Sequence, residues 1–466
     1  MGILEALADQ AFCRVADARH STGNAVRLLR DGAETYPASL AAIAAATQTI
    51  DLENYIIQDD EIGRQFADAL ITAAARGVKC RVLYDWLGCL TRTKKSFWDR
   101  LTNAGIKVRA YNKAHIGNPL GWISRDHRKV LCVDSAIGIT GGLCIGHDWV
   151  GDPAKNIPPW RDTAIRIEGP AATHLAAAFA DSWQEAGGAP QTPAEPAPGA
   201  GNVTISVIAG KPGGMSLYRV EQLVAEVVEK SLWLSDGYFV ATTFYVRALA
   251  AAARAGVDVR LLVPGSSNWP VVGALSQSAY RPLLQAGVRV FEWNGPMLHA
   301  KTAVADGSWT RIGSSNSNLA SWVSNRELDV TIKDETLAAQ MEAMFEADMK
   351  NSTEVVMVRG RSGIMRPDSP NAPPIRRRPL VSASRFVSSA IGFGNTLGAS
   401  FAQRRILGPA ETLVLLGGGC LVLLGGLLAL FLPRVIAYPI ALAAFWFAAT
   451  LLIHAWHLWR SGPAKS

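Results

Sequence analysis

The sequence predicts an α/β fold of two similar lobes followed by a C-terminal transmembrane helical hairpin. Three observations carry this expectation. Strand and helix patterns alternate in each half of the chain, as βαβ units require. A motif of histidine, lysine and aspartate recurs in both halves with matched followers. Two uncharged apolar stretches of spanning length lie near the C-terminus.

Residues 1–20 mix apolar and polar side chains at helical spacing, with no basic start leading into an apolar core. They read as a peripheral helix packed on the domain and not as a secretory signal. Alanine at position 6 also breaks the myristoylation pattern. From Asn24 the first lobe reads as a helix over 37–46, a strand over 49–57, a helix over 63–76, a strand over 79–85, a helix over 95–104 and a strand over 107–111. The second lobe repeats the series: strand 231–240, helix 244–255, strand 258–263, helix 279–286 and strand 289–293. AAARGVKCRVLY from Ala73 and AAARAGVDVRLLV from Ala251 are near copies.

The copies differ in one place. Gly105 precedes His127 by 22 residues, whereas Gly287 precedes His299 by 12, so a loop is added before the first motif. With Ile116, Leu120 and Trp122, that loop reads either as a lid or acyl-chain contact or as an ordinary capped loop. His115 and His147 read as surface residues.

Domain boundaries follow from composition. Residues 1–185 form the first lobe, 186–202 a Pro/Gly/Ala linker crossing the surface, and 203–358 the second lobe. Residues 359–411 are a basic, proline-rich tether whose Arg376, Arg377 and Arg378 suit anionic lipid, with an interfacial helix expected over 381–407. Residues 412–432 and 437–459 are the two spans, joined by a tight turn at Pro433 and Arg434. Glycines such as Gly417 and Gly425 allow close helix approach, within the hairpin or between molecules of a homo-oligomer. Basic residues before and after the hairpin place both termini in the cytoplasm.

Of the 466 residues, 49% are hydrophobic and 18% charged, more apolar than most soluble proteins. A net charge of +7 suits an anionic partner, nucleic acid or lipid surface, without choosing between them. The six cysteines contain no C-x-x-C pair, which argues against a disulfide framework or zinc site and for reduced thiols in a cytoplasmic domain.

The chemistry lies in the duplicated motif. His127-x-Lys129-x4-Asp134 is matched by His299-x-Lys301-x4-Asp306; Gly141 and Gly313 each follow by 14 positions, Cys144 and Asn316 by 17. On a strand, alternate residues share a face, so each motif sends one imidazole and one ammonium into the same cleft. An imidazole can attack phosphorus while a second carries the leaving group's proton, and lysines can neutralise the developing charge without a metal or other cofactor. Asp162 and Glu327, each preceded by arginine, suit the hydrogen bond that orients a histidine ring. Asp134 and Asp306 fall at odd spacing and brace the motif with which they are grouped. Ser315 and Asn316 are expected at the phosphate.

This pair of motifs resembles the phospholipase D superfamily. The strings ENYIIQDDEIGRQFADAL from Glu53, VLYDWLGC from Val82, SRDHRKVL from Ser124 and WRDTAIRIEGPA from Trp160 are similar to its bacterial cardiolipin synthase branch, over about residues 25 to 350. The resemblance implies phospholipase D-like α/β lobes meeting at the active site and a phosphohistidine intermediate, with His127 the nucleophile and His299 the acid/base. Cys144 departs from the pattern, since many relatives carry Asn there. The expected reaction transfers a phosphatidyl group from phosphatidylglycerol to a second phospholipid. Rival expectations are hydrolysis to phosphatidic acid, a membrane-tethered nuclease and a non-catalytic scaffold. Two spans and a basic tether favour lipid over nucleic acid, and place the enzyme in a bacterial inner membrane with its catalytic domain facing the cytoplasm.

Overall fold

The computed structural model describes residues 12, 14–113, 124–152, 156–192, 194–266, 270–357 and 364–365, with isolated positions between 423 and 448. In chain order the strands are β1 (Ala18–Arg30), β2 (Thr49–Asn54), β3 (Lys79–Asp85), β4 (Lys107–Tyr111), β5 (Lys129–Val133), β6 (Ile137–Gly141), β7 (Thr163–Glu168) and β8 (Val203–Gly210). They continue as β9 (Ser231–Asp236), β10 (Asp258–Pro264), β11 (Arg289–Trp293), β12 (Lys301–Ala305), β13 (Trp309–Gly313), β14 (Glu327–Lys333), β15 (Ser352–Met357) and β16 (Ile364–Met365).

Among the described residues the sixteen strands join one mixed sheet, ordered β16-β15-β11-β10-β9-β12-β13-β14-β8-β1-β7-β6-β5-β2-β3-β4. The duplication is visible in that order. Adding seven to each label turns β1-β7-β6-β5-β2-β3-β4 into β8-β14-β13-β12-β9-β10-β11. In the first half β2, β3 and β4 run parallel, with helices Glu61–Ala75 and Lys95–Asn103 as crossovers, and the other pairings are antiparallel. Asp60 starts the first of these helices by accepting from the Gly63 amide, and Ile62, Phe66, Leu70 and Ala73 form its buried stripe.

Strand β1 joins the halves and takes residues 18–20 of the helix expected over residues 1–20, while Phe12 and Arg14–Ala16, described ahead of it, are helical as expected. It pairs antiparallel with β7 over Ala25–Arg30 and with β8 from Ala18, with an irregularity between Ser21 and Asn24. Buried Asn24 holds that step by donating to Ser21 and Val203 carbonyls and accepting from the Ala171 amide. Its four basic residues and lack of clean alternation hide β1 in the sequence. Residues 1–11 and 13 lie outside the described residues. The halves also share a core: Val130, Ile165 and Leu175 pack in one cluster with Ile205, Leu262, Leu328 and Phe345. The described part of segment 186–202 contains neither helix nor strand.

Two helices start earlier than expected, and each carries a proline in its interior. Helix Asp31–Ala45 starts six residues before Pro37, and helix Pro270–Ala286 contains Pro282. Strands expected to 57 and 240 stop at Asn54 and Asp236, where the chain leaves the sheet towards the histidines. Loop 114–123 lies outside the described residues, so neither of its readings is decided. In the tether, Ile364–Met365 pair with β15, and the remainder, including 381–407, lies outside. The two expected spans also lie outside, apart from isolated helical positions. Among the described residues no helix is long and apolar enough to cross a membrane.

Buried charge stabilises the second half. Arg311 on β13 pairs with Glu221 of helix Ser216–Val227 and, at 3.5 Å, with Asp329 of β14. Burial lifts the Glu221 carboxyl to about 7 against the pull of Arg311. Replacing Arg311 with alanine leaves two buried acids uncompensated and is expected to cost about 3–5 kcal/mol. Lys95→Ala, which breaks the exposed Lys95–Asp99 pair, is expected to change stability by less than about 0.5 kcal/mol. Thermal unfolding of the full-length protein measures both.

Candidate active site

His127 and His299 each stand two residues before the lysine that opens β5 or β12. Their main chains bridge the opposite half: His127 N–H donates to the Arg326 carbonyl at 2.9 Å and His299 N–H to the Arg161 carbonyl at 2.7 Å. The flanking bridges pair Asp126 with Arg326 and Leu298 with Arg161. This pairing crosses the acids. Nδ1 of His127 lies 2.9 Å from Glu327 Oε2, and Nδ1 of His299 lies 2.8 Å from Asp162 Oδ2. Both acids were singled out from the sequence, but spacing along one chain does not say which acid serves which ring.

The carboxylates are held in turn. Glu327 Oε2 accepts from Ser314 Oγ at 2.5 Å, and Asp162 Oδ2 from Trp149 Nε1 at 2.8 Å. A Cβ at Gly142 would stand 2.1 Å from Asp162 Oδ1, which explains the glycine step after the first motif. Burial raises both carboxyls, yet the histidine each one faces and the nearby lysine outweigh it, so both titrate below the ordinary carboxylate range. An ionised acceptor at Nδ1 assigns the proton to that nitrogen and leaves Nε2 with its lone pair.

Lys129 and Lys301 are buried, and each ammonium donates to the carbonyl of its own histidine. Tyr55 lies under Lys129, its ring centre 5.3 Å from Nζ, and meets His127 edge-on at 4.9 Å. Tyr238 does the same for Lys301 at 5.7 Å and His299 at 5.8 Å. Trp149 and Trp160 stand 5.5 and 5.8 Å from the His299 ring. These aromatic walls were missed, although a tyrosine shortly after each of β2 and β9 was there to be seen.

Electrostatics set the rings neutral. Burial lowers the His299 pKa to about 3, with Lys301 and Lys129 adding to it against Asp162. Burial and Lys129 lower His127 as well, against Glu327. Burial and Lys129 bring Lys301 down to about 8. Each lysine also acts on the other half's histidine, so the two motifs form one electrostatic unit. Neutral imidazoles beside buried ammonium groups suit nucleophilic attack on a phosphodiester anion.

The remaining candidates divide. Asp134 and Asp306 share φ near 50° and face away from the rings: Asp134 accepts from the amides of Thr47, Gln48 and Thr49, Asp306 from those of Glu229, Lys230 and Ser231. Each thereby pins the start of β2 or β9. The Ser315 hydroxyl donates to Asp329 at 2.9 Å, whereas Ser314, not singled out, reaches Glu327. Asn316 is buried, and its Oδ1 finds no partner among the described residues. Burial pushes the Cys144 thiol up while Lys129 opposes it. Among the described residues, no group of three or more His, Cys, Asp or Glu side chains is placed to hold a metal ion.

Two outcomes are expected. Glu327→Gln and Asp162→Asn should each lower kcat by about 10²- to 10⁴-fold, through lost ring orientation, in steady-state assays. Acid should destabilise the fold through His299: the unfolded chain takes up its proton near 6.5 and the folded chain only near 3, so stability falls as pH drops through that window. Thermal unfolding followed from about pH 7 to about pH 5 is expected to show a smaller loss in His299→Asn than in the parent.

The family described as "Cardiolipin synthase, PLD-like domain" matches residues 40–149 and 225–349, which hold both motifs. Cardiolipin synthase 1 of Bacillus cereus is 32% identical over 344 residues, covering 71% of this chain and 67% of that protein. Cardiolipin synthase A of Pseudomonas aeruginosa is 32% identical over 351 residues, covering 74% of this chain and 71% of that protein. The crystal structure of phosphatidylserine synthase from Haemophilus influenzae Rd KW20 is similar in fold, with a TM-score of 0.60 at 15% identity over 75% of this chain and 92% of that one. On these similarities, the chain belongs to the phospholipase D superfamily, in its cardiolipin synthase branch.

Proposed function

We propose that this phosphatidyltransferase moves a phosphatidyl group from phosphatidylglycerol to a hydroxyl of a second phospholipid. The observation that carries the reading is the crossed pair of acids, which leaves Nε2 of two neutral histidines free beside two buried lysines. The similar cardiolipin synthases support the lipid assignment.

In the first step His127 Nε2 attacks phosphorus and the bond to the glycerol oxygen breaks. His299 gives that oxygen its proton, so glycerol leaves and a phosphatidyl-histidine remains. In the second step His299 takes the proton of the acceptor's terminal hydroxyl as its oxygen attacks phosphorus, and His127 departs neutral. Two phosphatidylglycerols become cardiolipin and glycerol. The depressed His299 pKa means that its acid role depends on the substrate: a phosphodiester anion between Lys129 and Lys301 offsets the charge that drives its proton off. Asn316 contacts the phosphate, and Asp134 and Asp306 brace the motifs from behind.

The enzyme is held at a bacterial inner membrane, with the spans 412–432 and 437–459 as its anchor and the catalytic part on the cytoplasmic side. Exposed apolar side chains at the described helical positions Leu423, Leu430, Phe431, Leu442 and Phe445 support such an anchor. A lipid-facing cleft keeps water from the phosphatidyl-histidine, and with it hydrolysis to phosphatidic acid.

Mass spectrometry of phosphatidylglycerol vesicles incubated with the purified full-length protein tests the reading. Cardiolipin and glycerol in equal amounts are expected, with none from His299→Ala. Phosphatidic acid as the sole lipid product would make the enzyme a hydrolase, and an absence of lipid turnover would reject the proposal.

A further inference from the structure

The two copies differ in length between the histidine and the acid. Asp162 follows His127 by 35 residues, whereas Glu327 follows His299 by 28, so the first copy carries seven extra residues there. Asp152 and Ile157 bond to each other through both backbone amides, at 2.7 and 2.9 Å. Gly151 precedes them with φ at 75°, where a Cβ would stand 2.4 Å from the Ile157 carbonyl oxygen. Pro158 and Pro159 then lead into Trp160, whose N–H donates to the Asp148 carbonyl at 3.0 Å. The next residue, Arg161, donates to the Met297 carbonyl and accepts from the His299 N–H. Main-chain bonds on both sides thus set Trp160 beside the other copy's histidine.

The surroundings of the two rings are therefore unlike. Trp160 holds the position, two before the acid, that Asn325 holds in the second copy. Asn325 Nδ2 donates to Glu327 Oε1 at 3.3 Å, so beside His127 this position serves the acid. Beside His299 buried Trp149 serves the acid instead, and the position before Arg161 carries a second ring. That ring packs at 4.9 Å against Trp149 and stands 5.8 Å from His299, inclined to it at 39°. His299 is buried, whereas Trp160 is half-buried, which leaves apolar ring surface uncovered next to the imidazole.

We propose that Trp160 is a specificity-determining residue, the wall of a subsite that places the hydroxyl of a glyceryl headgroup, rather than water, at His299. The proposal rests on the transferase reading, in which His299 protonates the glycerol oxygen that leaves and then deprotonates the hydroxyl that enters. Both oxygens pass one imidazole, so the leaving glycerol and the acceptor's headgroup occupy the same place in turn. A glyceryl group presents C–H bonds between its hydroxyls, and these pack on an indole face that gives water no hydrogen-bond partner. An amide at this position, as at Asn325, would hold water instead. The leaving glycerol is tethered until its bond breaks, whereas the acceptor is not, so the second step depends more on the wall.

Mass spectrometry of phosphatidylglycerol vesicles incubated with full-length protein tests this. Transfer and hydrolysis each release one glycerol, so initial glycerol release reads the first step and the ratio of cardiolipin to phosphatidic acid reads the second. Trp160→Ala is expected to lower the ratio about 10- to 100-fold while glycerol release falls less than about 10-fold, and Trp160→Phe to hold the ratio within about 3-fold of the parent. Trp160→Leu, apolar but without a ring face, is expected to lower the ratio further than Trp160→Phe, and carries the test if the alanine variant fails to fold. The parent's ratio in Trp160→Ala or Trp160→Leu, the same loss in Trp160→Phe as in Trp160→Ala, or a fall in glycerol release as large as that in the ratio would each overturn the proposal. A parent that makes no cardiolipin would reject the transferase reading and this subsite with it, whereas a parent that makes cardiolipin confines any failure to Trp160.

Discussion

Two hydrogen bonds, from His127 to Glu327 and from His299 to Asp162, form only when each half of the chain supplies the acid for the other. The rest of the architecture meets that constraint. Strand β1 welds the halves into one sheet, and backbone bridges at Arg326 and Arg161 bring each acid to the opposite ring. The same two arginines anchor the bridges by reaching across to helices of the other half, Arg326 to Asp181 and Glu185, Arg161 to Asp348 at 2.9 Å. A small shift between halves would therefore disturb both histidines at once.

The cleft is also charged in a definite sense. Burial and two ammonium groups keep both imidazoles neutral, while ionised acids fix their Nδ1 protons. In the proposed reaction an arriving phosphodiester supplies the missing negative charge, which couples binding to the protonation that expels the leaving group. Symmetry of the backbone does not extend to these fields. Lys301 faces Asp236 across the strand pair where Lys129 faces Asn54, and Glu53, Asp126 and Arg128 have no charged counterparts. Such differences give the two copies of one motif different surroundings.

How much of this was legible follows from what each signal measures. The βαβ series and the paired motifs were readable because periodicity and repeat spacing report local geometry. Strand β1 was not, because its residues are polar and its partners lie about 140 and 180 positions away. The crossing of acids was hidden for the same reason: Asp162 and Glu327 follow their own motifs in sequence, and only tertiary pairing exchanges them. Tyr55, Tyr238 and Trp149 read as ordinary core aromatics until the rings they face are known. Ser315 was expected at the phosphate, but its hydroxyl donates to Asp329, which also accepts from the Ser314 and Ser315 amides.

Proton NMR of histidine-labelled protein tests the crossed pairing most directly, since an Nδ1 proton held by a buried carboxylate resonates far downfield. Glu327→Gln should remove the His127 signal and leave that of His299, and Asp162→Asn should do the reverse. Loss of the signal from the histidine in the same half as the altered acid would contradict the account.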